Sequence, residues 1–135
     1  AGVPVDIQVR GICGLRAGIP GLSDNIRVRS ILGRFLEHSR IYAFCNDGDT
    51  DVFIGSADLM HRNLDRRIEA LIKITDPEMI STLVDMLDVA CADTTSSWHL
   101  EPDGWVRHHV SPKGRPLQDI QELLMRQARS RVASR

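Results

Sequence analysis

A histidine and an arginine two residues apart are the first side chains in this sequence whose types and spacing suggest chemistry. His38 and Arg40 stand at the start of a short apolar stretch that predicts a β-strand. Residues two apart on a strand project to the same face, so we expect both side chains at the mouth of that strand. A neutral imidazole can act as nucleophile or proton carrier, and a guanidinium stabilises charge on phosphoryl oxygens. The pair indicates a site that binds or transfers a phosphoryl group, with an ordinary surface or core histidine as the alternative.

A second group of candidate residues follows the next predicted strand. Gly55, Ser56 and Asp58 lie close together there. A glycine lets the backbone come close to a ligand, because it has no side chain. We expect Ser56 and Asp58 to orient the His38 imidazole or to stabilise an oxyanion.

Arginine supplies almost all of the positive charge: 15 of the 17 basic residues are arginine, and the net charge is -1. Residues 1–40 hold six arginines, three acidic residues and no lysine. Because an arginine fork matches phosphate oxygens bidentately, this excess favours a phosphate-rich ligand. An arginine-rich genome with solvated charged faces is the alternative. The arginines of the last ten residues can touch a polyanion or end a frayed helix.

The composition is that of a soluble globular protein. The 135 residues allow one compact domain, with 42% hydrophobic and 26% charged residues, which excludes a disordered, collagen-like or disulfide-dense chain. No apolar run approaches the roughly 18–20 residues needed to span a bilayer, and no segment has the pattern of a signal peptide. The three cysteines lack metal-type spacing, which favours free thiols in a reducing cytoplasm.

Alternating and apolar stretches predict the strands that must position these residues. They fall at 3–10, 40–45, 51–56 and 67–74, and a turn at 46–49 joins the middle two into a hairpin. Glycine-rich residues 11–23 predict a loop. After it, Ser23 or Asp24 is expected to cap a helix, although the β-branched residues 26–28 leave a strand open.

The second half of the chain predicts two helices around another hairpin. The run Asp76–Glu78 has the pattern of a helix start, and apolar spacing continues to about Ala92. A Pro-Asp-Gly turn predicts a second hairpin within residues 98–110, and a terminal helix is expected over residues 116–132. The order of elements predicts an α/β or α+β fold.

Longer motifs carry a family resemblance. The His-x-Arg pair and the Gly-Ser-Ala-Asp segment resemble a half-site of the phospholipase D superfamily, which has lysine where Arg40 stands and usually asparagine where Asp58 stands. Four motifs are similar to the C-terminal domain of polyphosphate kinase. They are Val9–Cys13, Leu15–Ile26, Phe35–Tyr42 and Ile54–Glu69. This resemblance is dense from about residue 7 to residue 76.

The resemblance implies a phospholipase D-like domain, a mixed β-sheet flanked by helices. It would cover residues 1–135 of a longer multidomain chain, with a C-terminal helix and basic tail over 111–135. The implied enzyme moves the terminal phosphoryl group of ATP reversibly onto inorganic polyphosphate. In the family the phosphorylated histidine lies in the preceding domain and most Mg²⁺ contacts lie elsewhere, so we assign no metal ligand here. The implied partners are ATP or ADP, polyphosphate, the preceding domains and further copies of a cytoplasmic enzyme, without nucleic acid.

The resemblance also implies residue roles. His38 matches a second essential histidine, and Arg10 matches an arginine; both contact nucleotide phosphates in the family. We expect His38 to stabilise or protonate the leaving phosphate oxygen and Arg10 to hold a nucleotide phosphate. Arg16, Arg40 and Arg62 are weaker candidates for phosphate contacts.

Two other functions stay open at this point. Half of a phospholipase D-type phosphodiesterase or nuclease would have lysine at position 40 and asparagine at position 58. A non-catalytic polyanion-binding module would use the arginines without any reaction. An isolated domain whose active site lies at a domain interface would also bind polyanions without catalysing a reaction, because half of its site is missing.

Overall fold

The computed structural model describes residues 2–133, which form two compact units. The first unit comprises the described residues up to Glu37 together with those from Val89 onward, and the second unit is His38–Asp88. Each unit has its own β-sheet. The single domain over 1–135 stays a prediction.

Seven strands and three helices make up the described residues. In chain order they are β1 (Val5–Gln8), β2 (Ile26–Ser30), β3 (Ile41–Phe44), β4 (Asp51–Gly55), α1 (His61–Leu64), β5 (Leu71–Ile74), α2 (Pro77–Cys91), β6 (Trp98–Glu101), β7 (Gly104–Arg107) and α3 (Ile120–Ala133). None of these helices is long and apolar enough to cross a membrane.

The first unit is built on a mixed sheet with the strand order β1-β2-β6-β7. β1 and β2 run parallel, whereas β6 and β7 form an antiparallel hairpin beside β2. The first predicted strand and the second predicted hairpin are therefore confirmed. A small apolar core joins Ile31, Ala90 and Ile120, with Val89 and Leu124 packed against it.

The helix predicted after the glycine-rich loop is wrong, because the residues expected to cap it serve the loop itself. The Ser23 hydroxyl donates to the Arg16 carbonyl (2.6 Å) and accepts from the Ile19 amide (3.0 Å). The Asp24 carboxylate accepts from the Gly21 amide (2.7 Å). The β-branched residues then form β2, the alternative that was left open, and the segment between β2 and β3 has no regular structure.

The last helix begins later than predicted, at Ile120 instead of residue 116. Asp119 is the physical reason. Its Oδ1 accepts from the backbone amides of Gln121 (2.8 Å) and Glu122 (3.1 Å), which is how an N-cap satisfies the first turn.

The second unit is an antiparallel meander, β3-β4-β5, followed by most of α2. The predicted hairpin is confirmed: a 3-10 turn at Asn46–Gly48 joins β3 to β4, with Asn46 and Asp47 at positive φ. Asparagine and aspartate tolerate that conformation better than other side chains. β5 is shorter than the predicted strand over 67–74, and the short helix α1 was not predicted.

Candidate functional site

His38, Arg40 and Asp58 form a hydrogen-bonded chain in the second unit. Nη1 of Arg40 lies 2.6 Å from Nδ1 and 3.3 Å from Nε2 of His38, and it donates to the His38 carbonyl oxygen at 2.6 Å. Nε and Nη2 of Arg40 donate to Oδ1 of Asp58 at 3.1 and 2.9 Å. The predicted pair therefore lies together, and Asp58 holds the arginine in place. Below, these three residues are called the His38 cluster.

The shorter of the two ring contacts with Arg40 is the basis for assigning the tautomer of His38. A guanidinium only donates hydrogen bonds, so Nδ1 accepts, and the proton of the neutral ring is assigned to Nε2. His38 is exposed, whereas the side chains of Arg40 and Asp58 are only 13% and 17% exposed. The arrangement holds an imidazole whose Nε2–H can donate to an anionic oxygen.

Arg62, on α1, adds a second positive charge beside the cluster. Its Nη2 lies 3.6 Å from Oδ2 of Asp58. One carboxylate thus faces two guanidinium groups, and the surplus positive charge attracts an anion.

Ser56 takes part in a different network. Its hydroxyl donates to Glu69 and accepts from the Ala70 amide, and the buried Asn63 also donates to Glu69. The hydrogen bonds from Ser56 and Asn63 hold the pKa of the Glu69 carboxyl below its usual value. Ser56 therefore ties the end of β4 to the segment before β5, whereas Asp58 acts on the imidazole through Arg40.

Gly55 is required by the neighbouring strand. A Cβ atom at this position would lie 3.0 Å from Cδ1 of Leu71 and 3.1 Å from the carbonyl oxygen of Ala70. The close approach that the sequence suggested is thus made by β5 and the residue before it.

A small cavity lies in the first unit beside Arg10. It measures about 160 Å³ and is lined by Arg10 and residues 31–37. Its charged side chains are Arg10, Arg34 and Glu37, and the guanidinium of Arg34 lies over the Phe35 ring, 5.5 Å from its centre. Small-molecule sites usually measure roughly 300–1,000 Å³, so this cavity suits one phosphate group better than a whole nucleotide.

Gln121 holds the segment that lines this cavity. Its Oε1 accepts from the Phe35 amide (2.9 Å), and its Nε2 donates to the Phe35 carbonyl (2.8 Å) and to the Glu37 carboxylate (2.6 Å). A Cβ atom on Gly33 would lie 2.5 Å from this Oε1, so a larger residue there would displace the Gln121 amide from these hydrogen bonds. Sequence reasoning missed Gln121; the available signal was a polar residue beside the inward-facing Ile120.

The five predicted site residues fall in three places. Arg10 lines the cavity of the first unit, and Arg16 is exposed in the loop before β2. In the second unit, Arg40 and Arg62 both contact the Asp58 carboxylate, and His38 contacts Arg40. The structure therefore brings three of the five together within one unit.

Comparisons with known proteins give the family. Residues 1–121 match the model described as "Polyphosphate kinase C-terminal domain 2". The chain belongs to this family. It is 61% identical over 132 residues to the polyphosphate kinase of Streptomyces coelicolor, covering 97% of this chain and 18% of that protein. It is 49% identical over 125 residues to the polyphosphate kinase of Thermosynechococcus vestitus, covering 93% of this chain and 17% of that protein. The chain thus spans less than a fifth of the length of these relatives.

A solved structure supports the same assignment. The polyphosphate kinase of Porphyromonas gingivalis matches with a TM-score of 0.87 and 34% identity, covering 99% of this chain and 20% of that one. The expected resemblance to the polyphosphate kinase C-terminal domain is confirmed. The fold is confirmed as α+β, with open mixed sheets and helices.

Proposed function

We propose that this polyphosphate kinase C-terminal domain works as part of a cytoplasmic, homo-oligomeric enzyme that reversibly transfers the terminal phosphoryl group of ATP to inorganic polyphosphate. The observation that carries the proposal is the imidazole of His38, whose Nδ1 lies 2.6 Å from Nη1 of a largely buried arginine. The names of the relatives support it, since both are polyphosphate kinases.

In the proposed reaction, Nε2–H of His38 faces the oxygen that separates from the transferred phosphoryl group. This oxygen gains negative charge as its bond to phosphorus breaks. A hydrogen bond from Nε2–H stabilises that charge while the proton stays on the ring, and the same hydrogen bond is made in the reverse direction. Arg40 beside the ring and Arg62 beside the Asp58 carboxylate supply further positive charge.

Arg10 is proposed to hold one phosphate group of the nucleotide in the cavity of the first unit. Its guanidinium can bind two phosphate oxygens at once. Because the cavity measures about 160 Å³, other parts of the enzyme would hold the rest of the nucleotide and carry the phosphorylated histidine. Arg16 is proposed as an additional phosphate contact from its exposed loop.

Mg²⁺, which the family reaction implies, does not fit the residues near the proposed site. Mg²⁺ requires a near-octahedral set of oxygen ligands. Asp58 is engaged by Arg40 and Arg62, and Glu37 accepts a hydrogen bond from Gln121. Every step proposed for this chain therefore uses its own side chains, with Mg²⁺ bound by other parts of the enzyme.

Tripolyphosphate binding and turnover by the isolated chain test this proposal. We expect weak binding of tripolyphosphate by calorimetry, at least about tenfold weaker in Arg10→Ala, because one bidentate contact is lost. Arg129→Ala, on the exposed part of α3, is the matched control. We expect no ADP from ATP, Mg²⁺ and polyphosphate, because the site is incomplete.

Three results would overturn the proposal. Hydrolysis of a phosphodiester substrate such as bis(4-nitrophenyl) phosphate would favour the phosphodiesterase function. Equal loss of binding in the Arg10 and Arg129 variants would favour a general polyanion-binding module. Rapid ADP formation by the isolated chain would contradict a site completed by other domains.

A further inference from the structure

The hairpin formed by β6 and β7 carries a cluster of metal-ligating side chains apart from the proposed site. His99, Glu101 and His108 offer ligand atoms that all lie within 4.8 Å of one another. His99 and Glu101 are two apart on β6 and share a face, and His99 pairs with Val106 on β7. His108 is two residues beyond Val106, so the strand alternation brings it to the same face. None of the three lines the cavity beside Arg10.

The distances between the ligand atoms of these three residues are close to those found around a bound metal ion. The two imidazole rings stack with centres 4.0 Å apart, and Nε2 of His108 lies 4.0 Å from Oε1 of Glu101. Tetrahedral zinc with bonds of about 2.0–2.1 Å holds its ligand atoms roughly 3.3 Å apart. The side chains of His108 and Glu101 are 44% and 49% exposed, so both can rotate to close this difference.

His99 is already oriented for ligation by a neighbour on its own strand face. The buried Ser97 hydroxyl donates its only hydrogen to the Thr95 carbonyl (3.3 Å) and lies 3.1 Å from Nε2 of His99. With the Ser97 hydrogen on the Thr95 carbonyl, the tautomer assigned to His99 carries its proton on Nε2 and its lone pair on Nδ1. Metal-bound histidines typically donate their second ring nitrogen to such a partner.

The charged side chains around the cluster, taken together, favour the binding of a cation. Arg29 pairs with His99 across β2 and β6 and opposes a positive ion, but its Nη2 is 2.6 Å from Oδ1 of Asp93. Glu101 then leaves one negative charge on the cluster.

We propose that His99, Glu101 and His108 bind a transition-metal dication of the zinc or nickel class, with water as the remaining ligand. Two imidazoles and one carboxylate suit these ions, whereas Mg²⁺ prefers oxygen ligands alone. The bound ion joins β6 to the residue after β7 and stabilises the hairpin, because it binds the folded state selectively.

Zinc titration of the purified chain by calorimetry, with Mg²⁺ as the comparison ion, tests this site. We expect one Zn²⁺ per chain and no Mg²⁺ heat at equal concentration. His108→Ala and Glu101→Gln should each weaken zinc binding at least about tenfold. His109→Ala is the matched control, since this neighbouring histidine is exposed and outside the cluster.

The three cysteines are present in every variant, so zinc held by thiols would bind equally in all of them. Equal zinc affinity in His108→Ala and the unaltered chain would overturn the proposal, as would the absence of zinc binding. Nitrogen-15 NMR gives a second readout: zinc should shift the Nδ1 resonance of His99 and leave His109 unchanged. A shift confined to His109 would also contradict the assigned ligands.

Discussion

At His38, a single neighbouring guanidinium contacts the ring and assigns its tautomer. Arg40 reaches Nδ1 with one nitrogen and Asp58 with two others, so the carboxylate orients the imidazole through the arginine. The sequence predicted that His38 and Arg40 share a face, because strand alternation requires only spacing. The hydrogen bonds from Arg40 to Asp58, which is 18 residues further along the chain, could not be predicted from spacing.

Arg40→Ala should lower kcat for polyphosphate synthesis in the full-length enzyme by at least about tenfold. The reason is that His38 loses the donor that fixes its tautomer, together with a positive charge beside the phosphoryl oxygens. Arg66→Ala, an exposed arginine of the same unit, is the control. Steady-state kinetics and melting temperature should be measured together. A loss of activity matched by an equal loss in the control would contradict the assigned role of Arg40.

In the first unit, Arg29 and Asp93 form an ion pair that we expect to affect stability. The Arg29 side chain is 4% exposed and that of Asp93 58%, and Nε and Nη1 of Arg29 have no hydrogen-bond partner among residues 2–133. Asp93→Ala should lower the free energy of unfolding by about 1–3 kcal/mol, because the buried Arg29 guanidinium loses its hydrogen-bond partner. Asp6→Ala, which removes the partner of the exposed Arg27, should cost less than about 1 kcal/mol. Equal losses in urea denaturation would contradict this account.

The same pair predicts a pH dependence of stability. The hydrogen bond from Arg29 holds the pKa of the Asp93 carboxyl below its usual value. The stabilisation is therefore fully present above the pKa of the unfolded chain, about 3.9, and is lost as the pH falls through the lower folded-state pKa. The stability difference between the unaltered chain and Asp93→Ala should be constant near neutral pH and shrink below about pH 4. A difference that grows on acidification would contradict the sign.

Among the secondary-structure elements, those that depend on nearby residues were predicted correctly from the local sequence pattern. The turn residues Asn46–Gly48, and the alternating and apolar stretches on either side of them, predicted both strands of the first hairpin. The helix expected after Ser23 failed because that serine and Asp24 bond within the loop, a choice that depends on the loop's three-dimensional path. Gln121 was missed for a similar reason, since its partner Phe35 is 86 residues away.

Gln121→Ala should disorder the segment that lines the cavity and weaken tripolyphosphate binding. Three hydrogen bonds to Phe35 and Glu37 would be lost, and two of the groups left behind are backbone groups. We expect a loss of about 1–3 kcal/mol in unfolding free energy. Gln127→Ala, on the exposed face of α3, is the control. Unchanged binding in Gln121→Ala, measured by calorimetry, would show that the cavity does not depend on this residue.

Gly55→Ala should destabilise the second unit by forcing β4 and β5 apart. Its Cβ would meet the Ala70 carbonyl oxygen at 3.1 Å, a backbone atom that cannot rotate away. Gly14→Ala meets nothing within 4 Å and serves as the control. Thermal denaturation should show a lower melting temperature for the first variant only. Equal melting temperatures would indicate that β5 moves aside at little cost.

At the scale of the whole molecule, each compact unit carries its own group of candidate residues. Arg10 and its cavity belong to the first unit, and the His38 cluster belongs to the second. The family resemblance predicted the identity of these residues, whereas composition and net charge gave only an arginine excess near the N-terminus. Neither the cavity nor the cluster of His99, Glu101 and His108 had a sequence signal of its own, because both depend on side chains brought together by folding.

The rate of polyphosphate synthesis by His38→Ala in the full-length enzyme is the most direct test of the proposed chemistry. His61→Ala is the matched control, since His61 is an exposed histidine of the same unit that contacts Asp65. We expect kcat to fall at least about a hundredfold in His38→Ala, the usual cost of removing one positioned hydrogen-bond donor to a developing oxyanion, and to change less than about twofold in His61→Ala. Synthesis at the unaltered rate by a folded His38→Ala enzyme would contradict the role assigned to His38.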